Sequence, residues 1–132
     1  MMNDLPHITQ SEWAVMKELW KKSPLTVAEL VENIQSKQAL ASTTIKTLLR
    51  RLIAKEAVDF TIDEKNAKLY YYVPLVSEED CVKKASKEFL KQYHQDNAPR
   101  LFAAFMDNTD LSVEEIDHLK DLLERKKAEA ND

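Results

Sequence analysis

The sequence predicts a mostly α-helical fold with one small β-hairpin. Three observations predict it. Apolar residues recur at helical spacing in six segments and alternate with a period of two only between residues 58 and 73. Hydroxyl–x–x–carboxylate capping signatures open three of the helical segments. Pro6, Pro24, Pro74 and Pro99 stand between periodic segments, as punctuation.

The first helix is expected over residues 10–21. Thr9 and Glu12 form its capping box, and Trp13, Met16, Leu19 and Trp20 form its apolar stripe. The second is expected over 27–36, opened by Thr26 and Glu29, with Leu30, Val31 and Ile34 inward. The third, over 43–55, turns Ile45, Leu48, Leu49, Leu52 and Ile53 inward, with Ser42 as its expected cap. Its other face shows Thr43, Lys46, Thr47 and Arg50, spaced i, i+3, i+4, i+7 and flanked by Thr44 and Arg51.

The period then switches. Val58, Phe60 and Ile62 alternate with Asp59 and Thr61, and Leu69–Val73 is an aromatic, strand-like return. The turn between them has no glycine, so Asn66 is the expected site of any left-handed residue. A long helix over 78–95 begins Ser-Glu-Glu-Asp, placing acids at the positive end of its dipole. Val82, Ala85, Phe89 and Tyr93 line one side of it. A short helix over 100–106 carries Leu101, Phe102 and Phe105. The last, over 113–127, opens with Ser112 and Glu115 and presents Ile116, Leu119, Leu122 and Leu123. Residues 1–6 and 128–132 are expected to fray.

Composition narrows the function. No segment of this 132-residue chain approaches the roughly 20 apolar residues of a membrane span. The start shows no secretory pattern, and one cysteine allows no intrachain disulfide, so a cytoplasmic location is expected and no membrane partner. With no glycine at all, phosphate-cradling loops and nucleophile elbows are excluded. Cys81, His7, His94 and His118 lie on separate segments, so no metal site, no cofactor and no catalytic residue are expected. Cys81 reads as a small packed side chain.

Charge is unevenly spread. Residues 1–76 carry 10 basic and 9 acidic side chains, and residues 77–132 carry 9 and 14. The first part is net +1 and the second net -5, making the chain's -4. Within the first, Ser42 to Lys55 holds Lys46, Arg50, Arg51 and Lys55 and no acid. A basic segment in an acidic protein is an electrostatic footprint for nucleic acid.

Three helices followed by a hairpin is the order of a winged helix-turn-helix, in which the third helix enters the DNA major groove and the hairpin touches flanking backbone. The basic segment falls on that third helix, and Lys65 and Lys68 fall on the turn of the wing. Two domains are expected, a winged-helix DNA-binding domain over residues 1–76 and a helical dimerisation domain over 77–132. The apolar stripes of the later helices exceed what three short helices bury alone, so Val82, Phe89, Leu101, Phe102, Phe105, Ile116, Leu119, Leu122 and Leu123 are expected to meet a second copy of the chain.

Over residues 8–124 the chain resembles the penicillinase-repressor family of BlaI/MecI/CopY type. The resemblance is carried by Ile8–Met16 with Leu19-Trp20, by the run Thr43–Leu52, by Tyr70–Pro74 and by Leu111–Ile116. It implies a homodimeric transcriptional repressor that binds palindromic operators of the TACA/TGTA kind in double-stranded DNA. Copper-sensing members end in a doubled Cys-x-Cys motif, and this tail has no cysteine. β-Lactam-responsive members are cut at an Asn-Phe bond, where this chain aligns Ala104-Phe105. The inducing protease or ligand is therefore unassigned. The competing expectation is a winged-helix protein-interaction module without specific DNA binding, using Tyr70–Tyr72 and the last helix.

Overall fold

The computed structural model describes residues 5–93 and 97–131. Its elements run α1 (Gln10–Lys21), α2 (Val27–Gln35), α3 (Ser42–Ala54), β1 (Val58–Ile62), β2 (Tyr70–Pro74), α4 (Glu78–Tyr93), α5 (Ala98–Asp107) and α6 (Val113–Ala130). Met1–Asp4, His94, Gln95, Asp96 and Asp132 lie outside the described residues. The chain divides into two compact units, Met1–Lys87 and Glu88–Asp132, so the division falls within α4. The start of α4 belongs to the first unit, where Lys84 Nζ donates to the Leu5 carbonyl (2.7 Å).

The first unit is built on one apolar cluster. Val15, Met16 and Leu19 of α1 meet Leu30 and Ile34 of α2 and Ile45, Leu48, Leu49 and Leu52 of α3. Burying each such side chain is worth about 1.5–3 kcal/mol. The α1 stripe is rotated from the expected one. Val15 is inside, while Trp13 and Trp20 are only half-buried and meet edge to face at 5.2 Å. The Trp20 indole N–H donates to the Val76 carbonyl (2.8 Å), a polar need that the fully enclosed core could not meet.

The hairpin is antiparallel, with Val58 opposite Pro74 and Ile62 opposite Tyr70. Pro74 therefore lies in the strand, at its end, where a missing N–H is tolerated. Leu25, just before α2, exchanges two backbone hydrogen bonds with Tyr72 (3.1 and 2.8 Å), which fixes the wing to the helices.

Capping boxes close α1, α2 and α6 at Thr9/Glu12, Thr26/Glu29 and Ser112/Glu115. The Ser77 hydroxyl accepts from the Asp80 N–H at the start of α4. Three local expectations are corrected. Ser42 is the first residue inside α3, and the cap position is Ala41, which makes no side-chain bond. Pro99 lies in the first turn of α5, capped by Asn97, because that turn needs no N–H partner. The left-handed residue is Glu56 (φ 63), the only non-glycine with positive φ among the described residues. It ends α3 in a Schellman arrangement: Ala57 N–H donates to Leu52 O and Glu56 N–H to Ile53 O. Asn66 instead closes its turn with its side chain, accepting from the Lys68 N–H.

Glu12 is 1% exposed, deeper than a capping role requires. It accepts from the Thr9 N–H (2.9 Å) and forms an ion pair with Lys55, whose ammonium also donates to the His7 carbonyl (2.7 Å). Burial pushes the Glu12 carboxyl up, but Lys55 and the Thr9 N–H outweigh it and hold the group below its usual 4.5. Lys55→Ala strands a buried carboxylate and should destabilise the fold by about 3 kcal/mol in urea unfolding. A depressed carboxyl stabilises the fold above its unfolded value, so in the parent this contribution should disappear as pH falls below 4.5. In Lys55→Ala the acid loss should be reduced. Equal midpoints for the two proteins at neutral pH would contradict the assignment.

Candidate nucleic-acid interface

The core determines which side of α3 is free. With Ile45, Leu48, Leu49 and Leu52 buried, Thr43, Thr44, Lys46, Thr47, Arg50 and Arg51 are all exposed. From Thr43 to Arg50 is two helical turns, about 10 Å along the axis, the length of helix a major groove admits. No described acid pairs with Lys46, Arg50 or Arg51, so three cations on this face are unneutralised. Lys55, counted in the basic segment by its sequence, is not among them, because its ammonium is held by Glu12 and the His7 carbonyl. Its partner Glu12 is 43 positions away, beyond the reach of local patterning.

Thr47 has a further feature. Its hydroxyl donates to the Thr43 carbonyl one turn back (3.0 Å). The hydroxyl proton is thereby occupied within the helix, and the side chain offers outward a methyl group and an acceptor lone pair. Thr43 and Thr44 make no such bond.

At the wing, Lys65 and Lys68 are exposed. The turn that presents them is held by side chain to backbone bonds, Lys65 N–H to the Asp63 carboxylate (3.1 Å) and Lys68 N–H to the Asn66 side chain (3.0 Å). Asp63 N–H donates to Leu69 O (2.8 Å), continuing the ladder past β1. Phe60 and Tyr70 stack at 5.1 Å along the hairpin toward its turn and stiffen the wing.

Cys81 is buried, and burial together with Asp80 pushes its thiol up, away from a reactive thiolate. In the second unit, Phe89 meets Tyr93 and Phe105 at 4.7 and 5.7 Å, and Leu101 is buried. Val82, Phe89, Phe102, Phe105, Ile116, Leu119, Leu122 and Leu123 are each 38–67% exposed. No described helix is long and apolar enough to cross a membrane.

The family profile described as "Penicillinase repressor" matches residues 8–125, nearly the whole chain. The chain belongs to the penicillinase repressor family. It is 32% identical to the methicillin resistance regulatory protein MecI of Staphylococcus aureus (strain N315) over 126 residues, 96% of this chain and all of that one. It is 31% identical to the penicillinase repressor of Bacillus licheniformis, covering 96% of each. Among solved structures it is similar to the monomeric form of Bacillus licheniformis BlaI in complex with the blaP half-operator, with a TM-score of 0.51 and 30% identity. That match spans 60% of this chain and 93% of the other. The winged-helix architecture and the repressor class of this family member rest on these likenesses and on the observed element order together.

The open start of α3 is testable by itself. Ala41→Ser supplies an acceptor for the first helical N–H groups and should stabilise the chain by about 0.5–1 kcal/mol in urea unfolding. An unchanged midpoint would mean that the start of α3 already has another partner.

Proposed function

We propose that this family member is a homodimeric, non-enzymatic transcriptional repressor that acts in the cytoplasm on a palindromic operator of TACA/TGTA type. The observation that carries the reading is the α3 face. Six polar side chains, three of them unpaired cations, stand out of a helix whose opposite side is locked into the core. Lys46 and Thr47 lie at its centre and read base edges. Arg50, Arg51, Lys65 and Lys68 neutralise phosphates on either side. The half-operator complex of the similar BlaI supports the same use of this fold.

Residues 1–76 serve DNA binding and residues 77–132 dimerisation. The acidic second part is repelled by DNA, and its exposed apolar side chains suit a second copy, which also doubles the base contacts on a palindrome. Ala104 stands where the β-lactam-responsive members have the Asn of their cleaved bond, so this reading assigns no inducing protease; the Ala104–Phe105 bond lies inside α5, where the Ala104 carbonyl accepts from Asn108 Nδ2 (2.8 Å).

Band-shift titration with a TACA/TGTA duplex tests the assignment. Lys46→Ala and Thr47→Ala should each weaken the specific site by about 1–3 kcal/mol. Because the Thr47 proton is engaged with Thr43, Thr47→Val should keep most of the affinity and Thr47→Ser should not. The reverse order would mean that the hydroxyl, not the methyl, meets the DNA. Arg50→Ala or Arg51→Ala should weaken specific and random DNA alike and reduce the slope of affinity against salt by about one contact. Lys65→Glu and Lys68→Glu should lower affinity without changing the preferred sequence.

Dimerisation is checked by sedimentation. The parent should sediment at twice the chain mass at micromolar concentration, and Leu119→Asp should shift it to monomer and weaken the full operator far more than a half-site. A monomeric parent would remove the dimer from the account.

A further inference from the structure

A cleft of about 700 Å³ opens between the outer side of α1, the end of α2 and the turn that leads into α3. It belongs entirely to the first unit, and Thr43, Lys46, Thr47 and Arg50 are not among the residues that line it. Its volume is in the range of small-molecule sites, about 300–1,000 Å³. Two properties of its lining select a ligand. The walls include the edge-to-face pair Trp13 and Trp20 with Leu40, a surface suited to a flat apolar body. Trp20 spends its N–H on Val76, whereas among the described residues no group accepts from the Trp13 indole, which leaves that N–H available to a ligand.

The charges at the cleft are unbalanced. Lys17, Lys21 and Lys37 face Glu18 and Glu78. Glu18, with 7% of its side chain exposed, is taken by Lys37 at 2.7 Å. Lys17 and Lys21 stand one helical turn apart on α1 and line the cleft beside the pair that Lys37 makes with Glu18, so two ammonium groups there are available to an anion. Position supplies the consequence of binding. Lys37, Gln38 and Leu40 form the turn, Leu40 O is held by Gln35 Nε2 (2.9 Å), and Ala41 begins the cap of α3. A ligand wedged against Leu40 presses on the segment that aims the recognition helix.

We propose that this cleft is an effector site for a small aromatic carboxylate, with the ring against Trp13, Trp20 and Leu40 and the carboxylate at Lys17 and Lys21, and that its occupancy lowers operator affinity. The coupling to the operator rests on the DNA-binding reading; the cleft itself does not.

The probe is 2-naphthoate, with neutral 2-naphthamide as its control. The chain has two tryptophans, so its ¹H–¹⁵N spectrum carries two indole signals, assignable with Trp13→Phe. In DNA-free protein, naphthoate should shift the Trp13 indole signal strongly and the Trp20 signal less, with the amide at least fivefold weaker. Lys21→Gln, a change at an exposed side chain, should weaken naphthoate at least threefold and leave the amide unaffected. Saturating naphthoate should then weaken operator binding at least threefold in the parent, and not in Lys21→Gln at the same concentration. Indole signals that stay fixed at millimolar naphthoate, or acid and amide binding equally, overturn the site. Binding with unchanged operator affinity overturns its role as an effector site. A parent that fails to bind operator without naphthoate refutes the DNA-binding reading, and the cleft is then decided by the indole signals alone.

Discussion

One-sided burial of α3 is the constraint on which the rest of the first unit depends. Four leucine or isoleucine side chains on one stripe leave the helix a single stable rotation about its axis against α1 and α2. Turning it by half a circle would expose Ile45, Leu48, Leu49 and Leu52 at about 1.5–3 kcal/mol each. The outward direction of Thr43, Lys46, Thr47 and Arg50 is therefore enforced by the core, with no contribution from the polar residues themselves. The ends of α3 strengthen the constraint. Glu56 in the left-handed region and the ion pair from Lys55 to buried Glu12 tie the last turn of α3 to the first turn of α1.

Order and type of elements were legible in the sequence, because each is marked by local chemistry. Three capping boxes, the switch of period at Val58 and the aromatic return strand are all properties of short windows, and the structure has them where they were expected. The outward face of α3 was legible for the same reason, since the apolar stripe defines its complement. The corrections all concern partners distant in sequence or choices between near-equivalent positions. Lys55 looks like a free cation until Glu12, far off in the chain, takes it. Trp13 and Trp20 look like core residues until Val15 fills the enclosed position beside them. Asn66 was a sound candidate for the left-handed backbone, but a side-chain bond closed its turn, and the helix end at Glu56 required that conformation instead.

Rigidity and reach are divided between α3 and the wing. In the proposed DNA-binding reading, base contacts need side chains held within a fraction of an ångström, and the core-packed α3 would supply this. Phosphate contacts tolerate more slack, and Lys65 and Lys68 sit on a hairpin anchored through Leu25 and Tyr72 at its base and by Asp63 and Asn66 at its tip. The second unit follows a different rule. Its helices are capped and regular, yet Phe102, Phe105 and Leu123 are left in water. In the proposed dimer, a second copy of the chain would cover this exposed apolar surface.

The central claim is that DNA meets the face of α3 that the core forces outward. Amide chemical-shift mapping of the ¹⁵N-labelled chain against a TACA/TGTA palindrome tests it most directly. The account predicts that the largest shifts run through Thr43–Arg51 with a second cluster at Lys65–Lys68, and that a scrambled duplex of equal length moves the second cluster more than the first. Largest shifts on α1 or α6, or the same pattern of shifts with both duplexes, would contradict it.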